Sequence, residues 1–227
     1  MIDPGALVVV GLLVWGTVVG LDLVSGPQVL LSRPLVGGAV AGLLLGQLEV
    51  WLQVGAVLEL FALDVLPIGA ARYPDYGPAT VGAVAFACWA GGTTTDVVGL
   101  SVALGLLLAL AGGLSMESMR RANARSIQTW AVRLAAGDRM AIRALHYAGL
   151  ARDIGRSAVM TALGLAVAAL APEVPTDPAF RAALTTVAVG AGAAAALHGA
   201  ILNAGRGSRL AWLGVGVVTG LVVAALR

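Results

Sequence analysis

Apolar runs broken by short polar or Gly- and Pro-rich stretches recur along the whole chain, and their lengths predict helices embedded in a membrane. Residues 5–20 form a first uncharged run, followed by Asp22 and closed by Ser25-Gly26-Pro27. A second run, residues 35–45, is only 11 residues long, too short to cross a bilayer on its own. Its glycines at 37, 38 and 42 make a small-residue face suited to close helix contact. Residues 81–89 and 97–113 are further embedded segments, joined by the GGTTTD link at 91–96. Residues 157–171, 182–201 and 210–226 complete the apolar series, separated by a polar turn at 172–178 and a basic link at 203–209.

Two stretches depart from this pattern. Residues 49–75 stay largely apolar yet hold Glu49, Glu59, Asp64 and Asp75, four of the chain's 12 acids, together with Arg72. Pro67, Gly69, Pro74, Gly77 and Pro78 interrupt regular helix there. Acids and helix breakers in an apolar context predict broken or re-entrant helices, which a membrane tolerates only where protein or a cavity surrounds them. Residues 115–156 carry eight of the 14 arginines. The positive-inside rule places them in the cytoplasm, with much of the segment helical and on or near the membrane surface.

Composition turns these patterns into a class. Hydrophobic residues make up 59% of the 227 and charged residues 11%, with a mean hydropathy of +0.93. A soluble domain carries roughly twice that share of charge. The reading is therefore an all-α polytopic membrane helix bundle with broken or re-entrant helices, one membrane-embedded domain over residues 1–227. All basic residues are Arg, and the net charge of +2 is a topology signal rather than a sign of nucleic-acid binding. The one cysteine, Cys88, allows no internal disulfide, and with two histidines and no CxxC pair neither a metal nor a cofactor is expected. Asp3 and the lack of basic residues before the first run do not fit a cleaved signal peptide.

Residues 32–81 also carry a family pattern: Arg33-Pro34-Leu35, Leu45-Gly46, Gly55, Leu58-Glu59, Ile68-Gly69-Ala70 and Pro74-Asp75, in order and without internal gap. His146 followed ten residues later by Arg156 adds a second match. On these residues the chain resembles the IIC membrane component of the mannose/fructose/sorbose family of the phosphoenolpyruvate-dependent sugar phosphotransferase system. Pro67 stands where many members have Asn. The resemblance implies a sugar-translocating subunit in a bacterial cytoplasmic membrane. It implies a second membrane subunit, IID, and cytoplasmic IIA and IIB proteins that relay phosphate to the sugar. IIC would then bear no phosphorylated residue of its own, and homo- or hetero-oligomers are expected. A phosphorylation-independent transporter and a non-transporting IIC-derived scaffold are the alternatives.

Five residues are candidates for the sugar site. Glu59 is costly inside an apolar segment, by about 3 kcal/mol or more, so it must either meet sugar hydroxyls or find a helix-to-helix or IID partner. Asp75 either lines the site, as the resemblance implies, or serves as a turn or N-cap residue before a helix starting near Ala79. Gly69 and Ala70 let backbone approach a ligand or simply pack. Asp64 is a further candidate outside the family pattern. His146 is read as structural or as part of a IIB docking surface, and His198 as a packed, hydrogen-bonded histidine without an acidic neighbour. The arginines of 115–156 are read as a headgroup-facing, solvated cluster or a docking surface for a phosphorylated partner.

Overall fold

A computed structural model describes residues 5–65, 72–91, 94–170 and 177–203, together with Val215 and Val218. Eight helices and no strand occur among the described residues. They are α1 (Ala6–Asp22), α2 (Pro34–Leu45), α3 (Leu48–Ala62), α4 (Tyr76–Trp89), α5 (Thr94–Thr129), α6 (Ala131–Ala135), α7 (Arg139–Ala169) and α8 (Pro178–Asn203).

Local chemistry sets several of the helix ends. Pro34 opens α2, where its missing N–H costs no hydrogen bond, and Gly46 closes it in the left-handed conformation, φ +68°. Pro78 sits in the first turn of α4, where its lack of an N–H again costs nothing, so the helix begins at Tyr76 rather than near residue 79. Asp138 caps α7, its carboxylate accepting from the N–H groups of Met140 (2.9 Å) and Ala141 (3.2 Å). The Arg133 guanidinium, first, and these amides hold the Asp138 carboxyl below the usual carboxylate range.

α4 is the centre of the bundle. Every residue from Tyr76 to Cys88 is buried, and α1, α2, α3, α5 and α7 all pack against it. Its Ala, Gly and Val side chains allow this, since apolar surface all round a helix demands neighbours all round. It crosses α7 closely, where a Cβ on Gly82 would lie 2.9 Å from the Gly164 Cα. The small-residue face of α2 behaves as its sequence predicts: Gly38 lies against Gly55 of α3 and Thr80 of α4, and Gly42 against the Trp51 ring.

The outer faces are apolar as well. Leu7, Val10, Val14 and Val18 form one exposed stripe on α1, and Leu107, Leu110 and Leu114 another on α5. Stripes of this kind on several helices suit lipid rather than water. Two helical stretches, Val97–Thr129 and Pro178–Ile201, are long and apolar enough by themselves to cross a membrane, while α1 and α2 are shorter apolar helices.

One expectation changes in detail. The interruption predicted across residues 49–75 is confined to its second half, because α3 is regular through Ala62. The Arg-rich stretch is largely helical, as expected, and continuous with the helices of the bundle. It is the far half of α5, the short α6 and the near half of α7, turned at Gly137 with φ +73°. The 36 residues of α5 span about 54 Å at roughly 1.5 Å per residue, well beyond a hydrocarbon core of about 30 Å. Met119 is the last buried residue along it, so the remainder stands out of the packed bundle as one arm of a helical hairpin.

Candidate functional site

Four acids, Asp22, Glu59, Asp75 and Asp153, and two arginines, Arg33 and Arg156, gather where the α1–α2 connection, the end of α3 and the start of α4 meet α7. The deepest group is a triad. Arg156 of α7 donates from Nη1 to Asp75 Oδ2 (2.5 Å) and from Nε to Asp153 Oδ1 (2.9 Å). The guanidinium also donates to the Ser157 hydroxyl (3.1 Å) and the Gly20 carbonyl (3.4 Å). Asp153 and Arg156 share a face of α7 by their spacing of three. The second Asp153 oxygen accepts from the Ser25 hydroxyl at 2.6 Å, tying in the chain just past α1. All three side chains are at most 6% exposed. Mutual pairing is one of the ways in which ionisable groups are accommodated inside a membrane bundle.

Backbone packing brings Asp75 to this position. Residues 73–75 lead into α4, and the Asp75 N–H donates to the Ala109 carbonyl of α5 at 2.9 Å. A Cβ on Gly112 would lie 2.7 Å from the Asp75 Cβ, and Gly113 adjoins the Tyr73 carbonyl, so the glycine pair in α5 forms the groove that seats this segment. Asp75 occupies the N-cap position of α4, but its side chain makes no capping hydrogen bond. The turn or N-cap reading of its carboxylate therefore gives way to ion pairing across the bundle.

The second element is a cavity of about 380 Å³ next to the triad. Its polar lining comes from Asp22, Gln28, Ser32, Arg33, Tyr73 and Tyr76, and the rest is apolar. Both Asp22 oxygens hold the connecting loop, accepting from the N–H groups of Val29 (2.9 Å) and Ser32 (3.1 Å). That loop needs positive φ at Gln28 (55°) and Leu30 (70°). A carboxylate has about four acceptor positions, so Asp22 retains capacity for a ligand. Arg33 is fixed by Glu59: its Nε donates to Oε1 at 2.7 Å and Nη2 pairs with the same oxygen. The other Glu59 oxygen accepts from the Leu35 N–H at 3.2 Å. Volume and mixed lining suit a small polar ligand.

The five sequence candidates do not converge as a set. Glu59 is in the helix-to-helix ion pair and reaches the cavity only through Arg33. Asp75 is buried in the triad; its neighbours Pro74 and Tyr76 line the cavity. Asp64 pairs with His198, Oδ1 to Nδ1 at 2.8 Å, joining the turn just past α3 to α8. This corrects the reading of His198 as lacking an acidic neighbour: the acid lies 134 residues away in sequence. Gly69, Ala70 and Pro67 lie outside the described residues.

Sequence reasoning missed Asp22, Gln28, Ser32, Arg33, Tyr73 and Tyr76 as cavity residues, and Arg156 as a buried group. An acid ending an apolar run was the available signal at Asp22. Arg156 falls by sequence in the arginine-rich stretch that reads as solvated, although it stands next to the apolar 157–171 run. Among the described residues no group of three or more His, Cys, Asp or Glu is arranged to hold a metal.

A lipid-facing bundle with broken connections around a polar cavity is the architecture of a membrane transporter subunit. The sequence family described as the sorbose-specific IIC component of the phosphotransferase system matches residues 6–197, and the chain belongs to that family. A putative N-acetylgalactosamine permease IIC component 2 from Escherichia coli strain K12 is 33% identical over 85 residues, which is 37% of this chain and 63% of that relative. The match thus spans less than two thirds of the relative's length. Two solved structures share the fold. One, described as the structure of a membrane protein, has a TM-score of 0.69 at 21% identity, covering 97% of this chain and 94% of the other. The second, a chain in the cryo-EM structure of the mannose transporter ManYZ with microcin E492, has a TM-score of 0.61 at 23% identity and the same coverage.

Proposed function

We propose that this chain is the sugar-translocating IIC subunit of a phosphoenolpyruvate-dependent phosphotransferase system in a bacterial cytoplasmic membrane. It works there with a IID membrane subunit and with IIA and IIB phosphocarriers. The observation that carries this reading is the 380 Å³ cavity, where a carboxylate, a guanidinium, an amide and two tyrosines face one space beside broken helices. A sugar presents hydroxyls that donate and accept and an apolar ring face. Asp22, Gln28 and Arg33 suit the first, Tyr73 and Tyr76 the second. Glu59 acts by orienting Arg33, and Asp75 by anchoring the chain between Pro74 and Tyr76. Gly69 and Ala70 follow closely on α3 in the chain, and we retain them as contributors of backbone contact.

Uptake tests the reading. Cells lacking other sugar phosphotransferases, supplied with this chain and its IID, IIA and IIB, are expected to accumulate sugar phosphate only while phosphoenolpyruvate is available. Accumulation of unmodified sugar without it would identify a transporter of another kind.

The hairpin of α5, α6 and α7 faces the cytoplasm in this reading, on the strength of its arginines. Ala136→Cys gives an exposed thiol at the tip without straining Gly137, against a background in which the one native cysteine, Cys88, is buried. An impermeant maleimide is expected to label it in inside-out vesicles and not in intact cells. Labelling of intact cells would reverse the orientation.

A further inference from the structure

A second cavity, of about 520 Å³, opens on the hairpin side of the first, between α5 and α7. Its charged and polar lining comprises Arg120, Asn123, Ser126, His146 and Arg152, with Ser25 at one edge. The remainder is apolar, and no carboxylate is among its described lining residues. Asp153, next to Arg152 in the chain, pairs instead with Arg156 and accepts from the Ser25 hydroxyl.

Arg152 is held in place by neutral partners. Nη1 donates to the Asn123 side-chain oxygen (2.8 Å) and Nη2 to the Ser126 hydroxyl (2.9 Å). Two of five N–H donors are thereby used, the fork is oriented, and its charge is not neutralised by any acid among the described residues. Salt-bridged arginines elsewhere in the chain, such as Arg33, Arg133 and Arg156, each have a carboxylate. Arg120 joins the two cavities. Its guanidinium lies 5.0 Å from the centroid of the Tyr73 ring, and Nη2 donates to the Tyr73 hydroxyl at 2.7 Å. Tyr73 lines the first cavity and Arg120 the second, so this pair, packed with Met116 and Met119, is a wall shared by both.

We infer that the second cavity binds a phosphate group, with Arg152 as its ligand, the Arg120 charge in its wall and His146 among its lining residues. A preoriented guanidinium with free N–H groups and no acid to compete is a phosphate-recognition device. Its place, one side chain away from the first cavity and toward the arginine-rich hairpin, suits the phosphate ester formed when a translocated sugar is phosphorylated. The inference rests on the transport reading for that source. The same phosphate chemistry is presented by an anionic lipid headgroup, which the groove would meet at the membrane boundary.

The test is calorimetric titration of the full chain in phosphatidylcholine nanodiscs with inorganic phosphate, glucose 6-phosphate and, in parallel, unphosphorylated sugars. Arg152→Gln removes the guanidinium but also its tie to α5, so thermal unfolding is followed alongside. Gly149→Asp is the second variant. Gly149 lines the groove, and a Cβ there finds its nearest atom, Asn123 Nδ2, at 3.8 Å, so the backbone accepts a side chain, and a carboxylate three residues before Arg152 on α7 sets an opposite charge beside its guanidinium. Both variants are expected to weaken phosphate and glucose 6-phosphate binding about 10- to 100-fold, as expected for loss or cancellation of a charged hydrogen bond. Gly149→Ala should match the parent, and the affinity of unphosphorylated sugar should not change. Phosphate binding equal in parent and both variants, or absent from a folded parent, overturns the site while leaving transport intact. Phosphate binding without any sugar binding would instead count against the transport reading. Native mass spectrometry in phosphatidylglycerol discs separates the sources. Lipid retained by the parent and lost in both variants, with no displacement by glucose 6-phosphate, assigns the phosphate site to the membrane. Displacement assigns it to the sugar ester.

Discussion

Arg156→Met is expected to abolish monodisperse protein in mild detergent, whereas Asp75→Asn is expected to leave the bundle folded. The asymmetry follows from counting charge in the triad. Two carboxylates, Asp75 and Asp153, face a single guanidinium, and all three are almost wholly removed from solvent. Removing the arginine leaves two like charges buried with no counterion. Breaking a buried pair costs about 3–5 kcal/mol, and here two acids are orphaned at once, against a total stability of roughly 5–15 kcal/mol. Removing Asp75's charge leaves a one-to-one pair between Arg156 and Asp153. The Asn oxygen can still accept from Nη1, and the penalty is confined to an amide donor placed where Asp75 Oδ1 has no hydrogen-bond partner, about 1–3 kcal/mol. Arg156→Lys should fall close to Arg156→Met, because one ammonium cannot reproduce a fork that meets Asp75, Asp153, Ser157 and Gly20 together. Fluorescence-detected size exclusion over a temperature ramp ranks the three. A parent-like unfolding midpoint for Arg156→Met would show that the triad contributes nothing to the fold.

Glu59→Ala is expected to weaken sugar binding by about tenfold or more, with Glu59→Gln intermediate. The effect runs through Arg33. Glu59 fixes that guanidinium against the cavity, and its other oxygen holds the Leu35 N–H at the start of α2. Gln preserves one acceptor and the shape; Ala preserves neither. The pair is partly exposed, 29% for the Arg33 side chain and 14% for Glu59. Its direct stabilisation is therefore screened, and the unfolding midpoint should move little compared with affinity. Arg33→Lys keeps the charge and loses the fork, so it should resemble Glu59→Ala. Unchanged affinity in Glu59→Ala, measured by titration in nanodiscs, would remove Arg33 from the sugar site. A large loss of stability without loss of affinity would make the pair purely structural.

Much of the architecture was legible in the residue pattern. Apolar runs at 5–20 and 35–45 became α1 and α2 because lipid and neighbouring helices both reward apolar surface, leaving length and breakers to set the ends. The break after α3 was legible from Pro67, Gly69 and Pro74, and the small-residue face of α2 from its spacing. The family pattern around Arg33, Glu59 and Pro74-Asp75 runs through the segments that the fold gathers about the proposed sugar cavity, although it could not say which of those groups meet each other.

Glu59 illustrates what a sequence determines about this protein: an acid in an apolar helix must be paired or face a polar space, because the bilayer offers it nothing else. Which of the two applies, and to whom it is paired, depends on distances between residues far apart in the chain. Arg33 lies 26 residues from Glu59, Asp75 lies 81 from Arg156, and Asp64 lies 134 from His198. Helical and strand periodicities report only on neighbours within a turn or two, so none of these pairings had a local signal. The glycines at 112 and 113 ended an apolar run in the sequence, whereas in three dimensions they open the groove that seats Tyr73 to Asp75 against α5. Hydropathy fixed which segments are embedded, since that is a property of each segment alone. Packing decided where their few charges went, because a buried charge is settled only by the partner that the whole fold brings to it.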